Sequence, residues 1–179
     1  KLVPMLINLN AMQNGGRIDF MGAACVASLL EFEDSVKKVL LNSVISMEPD
    51  SLVDIAKCGT GSRFVLESIL KGSEEIDWAK NKLAKRFRGR YVPLASHRVG
   101  SFVIDKLYRG CKIKTKASIV EELLQGERIL SGTKAGRELF KLCNAERFKR
   151  DRKEWMATFG NYLFFHFIII FYTTLSNLY

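Results

Sequence analysis

The amino-acid sequence predicts an all-α protein, an α-solenoid built from repeated units of three helices. Glycines recur in similar contexts at intervals of 39, 39 and 36 residues, at Gly22, Gly61, Gly100 and Gly136. The segments between them carry apolar residues at helical spacing, and no stretch alternates with period two over a useful length. A unit of this size cannot bury its apolar face alone, so neighbouring units are expected to stack.

Each unit is predicted to hold a short helix, a glycine-led helix and a longer amphipathic helix. The opening KLVPMLINLNAMQNGG has one charge and no cleavage signature, so it is interpreted as an internal helix of a longer protein. Short helices are predicted over SLVDIAKCGTG and RYVPLASHRVG, before the second and third glycines. The glycine-led cores are predicted at residues 22–30, 61–70, 100–108 and 136–143.

The longer helices follow the glycine-led cores, in DSVKKVLLNSVIS, EEIDWAKNKLAKRF, TKASIVEELLQG and RKEWMATFG. Helix breakers stand near their ends and beginnings, at Pro49, Gly72, Gly89, Gly110 and Gly126. The predicted organisation is a repeat array over residues 1–160 followed by an apolar tail over 161–179. The alternative is a single α-helical bundle in which the glycines recur by coincidence.

Composition excludes several classes of chain. The 179 residues are 47% hydrophobic and 26% charged with three prolines, which excludes collagen-like and largely disordered proteins. Lysine and arginine number 28 against 19 acidic residues, a formal charge of +9. This excess favours an anionic partner, either a nucleic acid, an acidic protein or a membrane surface.

The sequence shows no pattern typical of a catalytic or metal site. The four cysteines are far apart and form no CxxC motif, so they are predicted to be reduced and mostly buried. Two histidines, His97 and His166, cannot build a histidine-rich metal site. No nucleophile motif, acid–base pair or phosphate loop is present, so no enzymatic activity, no metal and no cofactor are expected.

The cores after Gly61 and Gly100 match each other best, as GSRFVLESIL and GSFVIDKLY. They resemble the Pumilio (PUF) repeat, a three-helix unit whose middle helix faces the concave side of the solenoid. In that family the residue after the glycine and the residue four positions later read the edge of an RNA base. The residue directly after the first of these stacks on the base. Positions i and i+4 share a helix face, so both can reach one flat base.

The resemblance assigns RNA-binding positions in this chain residue by residue. The edge positions fall on Ser62, Leu66, Ser101, Asp105, Arg137 and Lys141. The stacking positions fall on Arg63, Phe102 and Glu138, and the first repeat supplies only Ala23, Ala24 and Ala27. Ser101 and Asp105 form the pair best suited to reading a base.

Each of these positions also has a purely structural interpretation. The serines can permit close helix packing, Phe102 can belong to the core, and Arg63 can form a surface salt bridge with Glu67. The tryptophans of the long helices, Trp78 and Trp155, are both predicted to be core residues.

The sequence resembles one branch of the Pumilio-like proteins more closely than the others. RYVPLASHRVGSFVIDKLYRG and GRELFKLCNAERFKRDRKEW look like the last repeats of Pumilio-like nucleolar proteins of small-subunit ribosome assembly, the nucleolar protein nine family. The resemblance runs from residue 55 to 160 and is strongest over 90–155. It implies non-catalytic binding of pre-ribosomal RNA, single-stranded or structured, in the nucleolus with low base specificity. Proteins of the pre-ribosomal particle are further possible partners.

Positive charge is concentrated at residues 80–90, 106–116 and 147–153. The first stretch holds six cations and no acid, and its Lys85, Arg86, Arg88 and Arg90 are predicted to bind RNA. The alternative is a solvated helix face. A rival function is a protein-interaction scaffold of the HEAT or armadillo kind, in which these cations dock an acidic partner. A basic concave groove would favour RNA, and scattered or convex charge would favour the scaffold.

The sequence from residue 162 to 179 carries no Asp, Glu, Lys or Arg. Three interpretations are open: an alternative C-terminal sequence, a helix that caps the last repeat, or a tail anchor. A membrane partner is expected only if this tail inserts.

Overall fold

The computed structural model describes residues 2–72 and 76–158, and every regular element within these ranges is helical. This confirms the predicted all-α class. The predicted apolar tail lies outside the described residues. Contacts divide the chain into a first unit of residues 1–143 and a second of 144–179. The predicted array over residues 1–160 stays a prediction.

The helices of the first unit follow the predicted order. The first repeat holds α1 (Leu2–Leu6), α2 (Leu9–Gln13), α3 (Phe20–Leu29) and α4 (Asp34–Ile45). The second holds α5 (Pro49–Lys57), a π-helical turn (Gly61–Leu66) that continues into α6 (Glu67–Leu70), and α7 (Asp77–Phe87). The third holds α8 (Tyr91–Ala95), α9 (Gly100–Gly110) and α10 (Ile113–Gln125). The fourth begins with α11 (Glu127–Ser131) and α12 (Lys134–Cys143).

The glycine-led helices form one layer and the long helices another. In the first layer α3 packs on the π-helical turn, that turn and α6 pack on α9, and α9 packs on α12. In the second layer α4 packs on α7 and α7 packs on α10. The core is mainly aliphatic, with fully buried side chains that include Leu52, Ile55, Leu83, Leu94 and Ile104, and it also holds the ring of Phe87.

The recurring glycines have a common physical cause, which is close approach to the preceding short helix. A Cβ on Gly61 would lie 2.8 Å from the carbonyl oxygen of Ile55, and one on Gly100 would lie 2.7 Å from that of Leu94. A Cβ on Gly22 or Gly136 would lie closer still to a backbone carbonyl oxygen, that of Leu6 or Leu130. Any larger residue would force the two helices apart, so the glycine period records the packing of each repeat.

A side-chain acceptor three residues before the glycine caps the glycine-led helix in three repeats. The Gly22 amide donates to Asp19 Oδ1 at 2.6 Å, and the Gly136 amide donates to Thr133 Oγ1 at 3.0 Å. His97 Nδ1 accepts from the Gly100 amide at 3.3 Å. These caps accept hydrogen bonds from backbone N–H groups of the first helical turn, which have no partner within the helix. Sequence analysis missed this feature, although a polar residue stands three before each of these three glycines and is a readable signal.

The second unit is described over residues 144–158 and contains α13 (Ala145–Arg150) and α14 (152–158). Its Trp155 is fully buried and packs edge-to-face on Phe148, with ring centroids 4.9 Å apart. The predicted core role of Trp155 is confirmed. The same prediction for Trp78 is wrong, because that side chain is half-buried with the Lys82 ammonium 5.0 Å from its ring centroid.

The four cysteines are unpaired, as predicted, but only two are buried. Burial raises the pKa of the Cys111 and Cys143 thiols to about 12, which keeps them protonated and unreactive. Cys58 is half-buried, and Cys25 is exposed on α3, where the expectation of burial is wrong. Within the described ranges no helix has the length and apolar character needed to cross a membrane.

Candidate nucleic-acid interface

A groove of about 730 Å³ runs between two neighbouring glycine-led helices, α9 and α12. We call it the α9–α12 groove. Helix α9 contributes Ser101, Phe102, Asp105 and Arg109 to its wall, and α12 contributes Glu138, Leu139 and Leu142 among others. The groove therefore combines an aromatic ring, apolar side chains and charged groups, which is the composition that suits a stacked nucleotide base.

Phe102 projects from the first turn of α9 into this groove. Its side chain is 63% exposed, although it is large and apolar. The interpretation of Phe102 as a core residue is therefore wrong. An exposed ring on a groove wall is available for stacking, since every base presents a π-face to an aromatic side chain.

The two serines that follow Gly61 and Gly100 are nearly buried. Ser62 and Ser101 are each 8% exposed, and Ser101 Oγ donates to the Arg98 carbonyl oxygen at 2.9 Å. Small side chains here permit close helix packing, as the structural interpretation held. Ser101 nevertheless borders the α9–α12 groove, and its oxygen keeps the capacity to accept a hydrogen bond.

Asp105 lies in the groove, but its carboxylate is already engaged. Arg109, one turn further along α9, donates from Nε to Oδ2 at 3.0 Å and from Nη2 to Oδ1 at 3.1 Å. The hydrogen bonds that Arg109 donates to this carboxylate raise the pKa of the Arg109 guanidinium. Asp105 and Arg109 thus form one forked pair on the groove wall.

The structure separates the predicted residues of the fourth repeat. Arg137 and Lys141 are exposed on α12, but neither lines the α9–α12 groove. The Arg137 guanidinium instead donates to the Ser131 carbonyl oxygen at 2.9 Å. Glu138, the residue at the stacking position, does line the groove together with Phe102. The RNA-binding roles of Arg137 and Lys141 stay predictions.

The second repeat holds one more residue than the third between its glycine and its outward-facing carboxylate. Gly100 precedes Asp105 by five residues, whereas Gly61 precedes Glu67 by six. The π-helical turn Gly61–Leu66 absorbs this extra residue, because a π-turn closes over one more residue than an α-turn.

The π-helical turn moves the second edge position of this repeat. Leu66, which the family spacing assigns to it, is fully buried. The side chain of Glu67 is 24% exposed, and Glu67 occupies the position in the second repeat that corresponds to Asp105 in the third. The assignment of Leu66 is therefore wrong. Aligning VLES with VIDK from the C-terminal side of each helix is the signal that would have found Glu67.

Glu67 links two neighbouring glycine-led helices. It accepts hydrogen bonds at 2.7 Å from Lys106 of α9 and from Lys71 of its own helix. Both bonds hold the pKa of this carboxyl below its usual value. Arg63 has a different neighbour from the one expected, because its guanidinium lies 5.9 Å from the ring centroid of Phe64. Arg63 is exposed, which leaves it available for stacking.

Replacing Glu67 by glutamine is expected to lower the free energy of unfolding by about 1 kcal/mol at pH 7. The folded-state pKa is lowered, so this stabilisation is present above the unfolded value of about 4.3 and is lost as pH falls through the folded pKa. Urea unfolding at pH 7 and at pH 3 should show a smaller difference at pH 3 than at pH 7. Asp34→Asn is the control, because the Asp34 carboxylate, which pairs with Lys37, is 66% exposed and its loss should change stability little. An equal loss at both pH values would contradict an electrostatic role.

The basic stretch over residues 80–90 lies on α7 and the turn after it, in the layer of long helices. The Arg86 guanidinium donates to the Met47 carbonyl oxygen, and Arg90 donates to Asp50 Oδ1 at 2.8 and 2.9 Å. These two arginines tie α7 and the turn after it to α5 and the residues just before it. Lys85 and Arg88 are exposed, and neither lines the α9–α12 groove.

The described residues contain no cluster of three or more His, Cys, Asp or Glu side chains that could hold a metal ion.

Comparison with known proteins gives one family match. Residues 10–138 match the family model described as the NOP9-like PUF repeat domain. The chain is 30% identical to Nucleolar protein 9 of Aspergillus fumigatus over 138 residues, which cover 76% of this chain and 20% of that protein. It is 26% identical to Pumilio homolog 23 of Arabidopsis thaliana over 143 residues, 80% of this chain and 19% of that protein. The chain thus spans about a fifth of the length of these relatives.

Solved structures show the same fold. A structure of APUM23 with GGAAUUGACGG superposes with a TM-score of 0.71 at 26% identity, covering 80% of this chain and 27% of that one. A second, with GGAUUUGACGG, superposes with a TM-score of 0.74 at 23% identity over 87% of this chain and 32% of that one. The likeness confirms the predicted solenoid of three-helix repeats.

Proposed function

Because the chain belongs to the NOP9-like PUF repeat family, we propose that it binds single-stranded RNA along its layer of glycine-led helices. The observation that carries this proposal is the α9–α12 groove, where Phe102 stands exposed beside the Asp105–Arg109 pair. In the whole protein this module would hold pre-ribosomal RNA in the nucleolus during small-subunit assembly, without catalysis. The names of its relatives and the oligonucleotide in the APUM23 structures support this role.

Binding would depend more on stacking and phosphate contacts than on base reading. Phe102 and Arg63 supply flat groups on exposed positions of the same layer. The carboxylate of Glu67 is held by two lysines, which leaves it little freedom to read a base. The first repeat has only alanines at the corresponding positions. Low base specificity follows from this distribution.

A fluorescence anisotropy titration of the full chain against labelled GGAAUUGACGG RNA tests the proposal. Phosphate contacts release counterions from the strand, so affinity should fall about twentyfold between 50 and 200 mM salt if about three phosphates are bound. The same RNA annealed to its complementary RNA strand is the control. This duplex should bind more weakly, because its paired bases are not free to stack on protein side chains. Absence of binding, or binding that does not depend on salt, would contradict the proposal.

A second candidate function is a scaffold that docks an acidic protein. It is favoured by the position of Lys85 and Arg88, which are exposed in the layer of long helices and away from the α9–α12 groove. The double substitution K85A/R88A separates the two. If these cations bind RNA phosphates, the substitution should weaken RNA binding and reduce its salt dependence. If they serve an acidic protein, RNA affinity should stay within about twofold of wild type.

A further inference from the structure

We infer that Arg109, held in place by Asp105, contacts the edge of a guanine that stacks on Phe102 in the α9–α12 groove. Asp105 is then a positioning residue, and Arg109 is the residue that distinguishes bases. The inference rests on the proposed RNA binding and goes beyond it, because Arg109 lies outside the three positions that the PUF resemblance assigns.

The hydrogen bonds of the pair identify which partner is available to a ligand. The Asp105 carboxylate accepts three hydrogen bonds from Arg109, at 3.0 to 3.2 Å. These bonds use Nε and one proton of Nη2. A guanidinium has five N–H donors, so three remain for another acceptor. Arg109 is also 63% exposed, whereas the Asp105 side chain is 33% exposed.

The geometry of α9 directs those donors toward the stacking position. Phe102, Asp105 and Arg109 are spaced at i, i+3 and i+7, so they lie along one face of the helix, and all three line the groove. The bond to Asp105 bends the Arg109 side chain back toward the start of α9, where Phe102 projects. A base that lies against the Phe102 ring therefore presents its edge to the pair.

The remaining donors select for acceptors on the base. Guanine carries two adjacent acceptors, O6 and N7, which match the forked donors of an arginine. Adenine offers N7 beside a donor amino group, and uracil offers isolated carbonyl groups. In single-stranded RNA the guanine edge is free for such contacts. The arrangement therefore favours guanine at this repeat.

The other carboxylates that line the layer of glycine-led helices lack this feature in the part of the chain that the structure describes. Glu67 pairs with Lys71 and Lys106, and Glu138 lies 4.0 Å from Lys134. A lysine ammonium is a point charge without fixed donor geometry, so these pairs cannot supply the same bidentate match. The third repeat is therefore the one where base preference is expected.

The test compares GGAAUUGACGG RNA with the same RNA in which every guanine is 7-deazaguanine, which lacks the N7 acceptor. The wild-type chain should bind the modified RNA about fivefold or more weakly, because one bond of the bidentate contact is lost. Arg109→Ala should bind the two RNAs equally and bind unmodified RNA at least as weakly as the wild type binds the modified one. Arg109→Lys should not restore the difference.

Two further variants complete the experiment. Arg128→Ala removes the same charge from an exposed position on α11 and should keep the wild-type response to 7-deazaguanine. Asp105→Ala should lose much of that response although Arg109 is present, which a residue that acts only on folding would not do. Thermal unfolding of each variant by circular dichroism checks that the fold is retained.

The outcomes separate this inference from the proposed function. If wild type binds unmodified RNA but Arg109→Ala keeps the full 7-deazaguanine effect, the inference is overturned while RNA binding stands. If Asp105→Ala keeps that effect, Asp105 does not position Arg109. If wild type fails to bind unmodified RNA, the proposed function itself is contradicted.

Discussion

Replacing Gly136 by alanine is expected to lower the free energy of unfolding of the first unit by about 3 kcal/mol. A Cβ at this position would lie 2.7 Å from both the carbonyl carbon and the Cβ of Leu130, and closer still to the carbonyl oxygen. Alanine has the higher helix propensity, by about 1 kcal/mol, but backbone overlap with α11 costs more than this gain. Urea unfolding of the wild type and the variant measures the difference.

Gly59→Ala is the matched control for this substitution. A Cβ at Gly59 would meet nothing within 4 Å, and the position is exposed. The control should therefore be neutral or slightly stabilising, since only the helix propensity changes. If both variants unfold at the same urea concentration as wild type, close helix approach is not the reason for the glycine period.

Replacing Phe102 by alanine is expected to weaken RNA binding about 5- to 150-fold, because one stacked base contributes about 1–3 kcal/mol. Stability should change little, since 63% of the side chain is exposed. Anisotropy titrations with GGAAUUGACGG RNA measure the affinity, and urea unfolding measures the stability.

Ile129→Ala is the control for the Phe102 substitution, because it truncates another exposed apolar side chain, 60% accessible, on the short helix α11. Its RNA affinity should equal that of wild type. A loss of affinity shared by both variants would point to a general effect of surface apolarity. A loss of stability in Phe102→Ala alone would point to a core role.

Much of the fold could be predicted because it is recorded in local patterns. The glycine-led cores at 61–70 and 100–108 coincide with observed helices, since helical periodicity and glycine spacing depend on neighbours within one repeat. The position where a glycine-led helix begins also depends on residues close by in the sequence. The side-chain acceptors three residues before the glycines are such local signals.

The candidate site could be predicted only in part. Phe102, Ser101 and Asp105, the positions that the family spacing assigned in the third repeat, line one groove because they share a regular α-helix, and their RNA-binding roles stay predictions. Leu66 was assigned wrongly, because a single extra residue converts one turn of the second repeat into a π-helix and rotates Glu67 outward. Fixed spacing assumes an uninterrupted α-helix, and the π-turn violates that assumption.

The roles of several charged side chains depended on partners far away in the chain. Arg90 meets Asp50 and Lys106 meets Glu67, about 40 residues apart in each case. Composition and periodicity were enough to establish a helical repeat protein with a net positive charge, because these properties add up along the chain. The stacking of repeats decided which cationic side chains remain free for a ligand, because it brings acidic side chains of one repeat against basic side chains of the next.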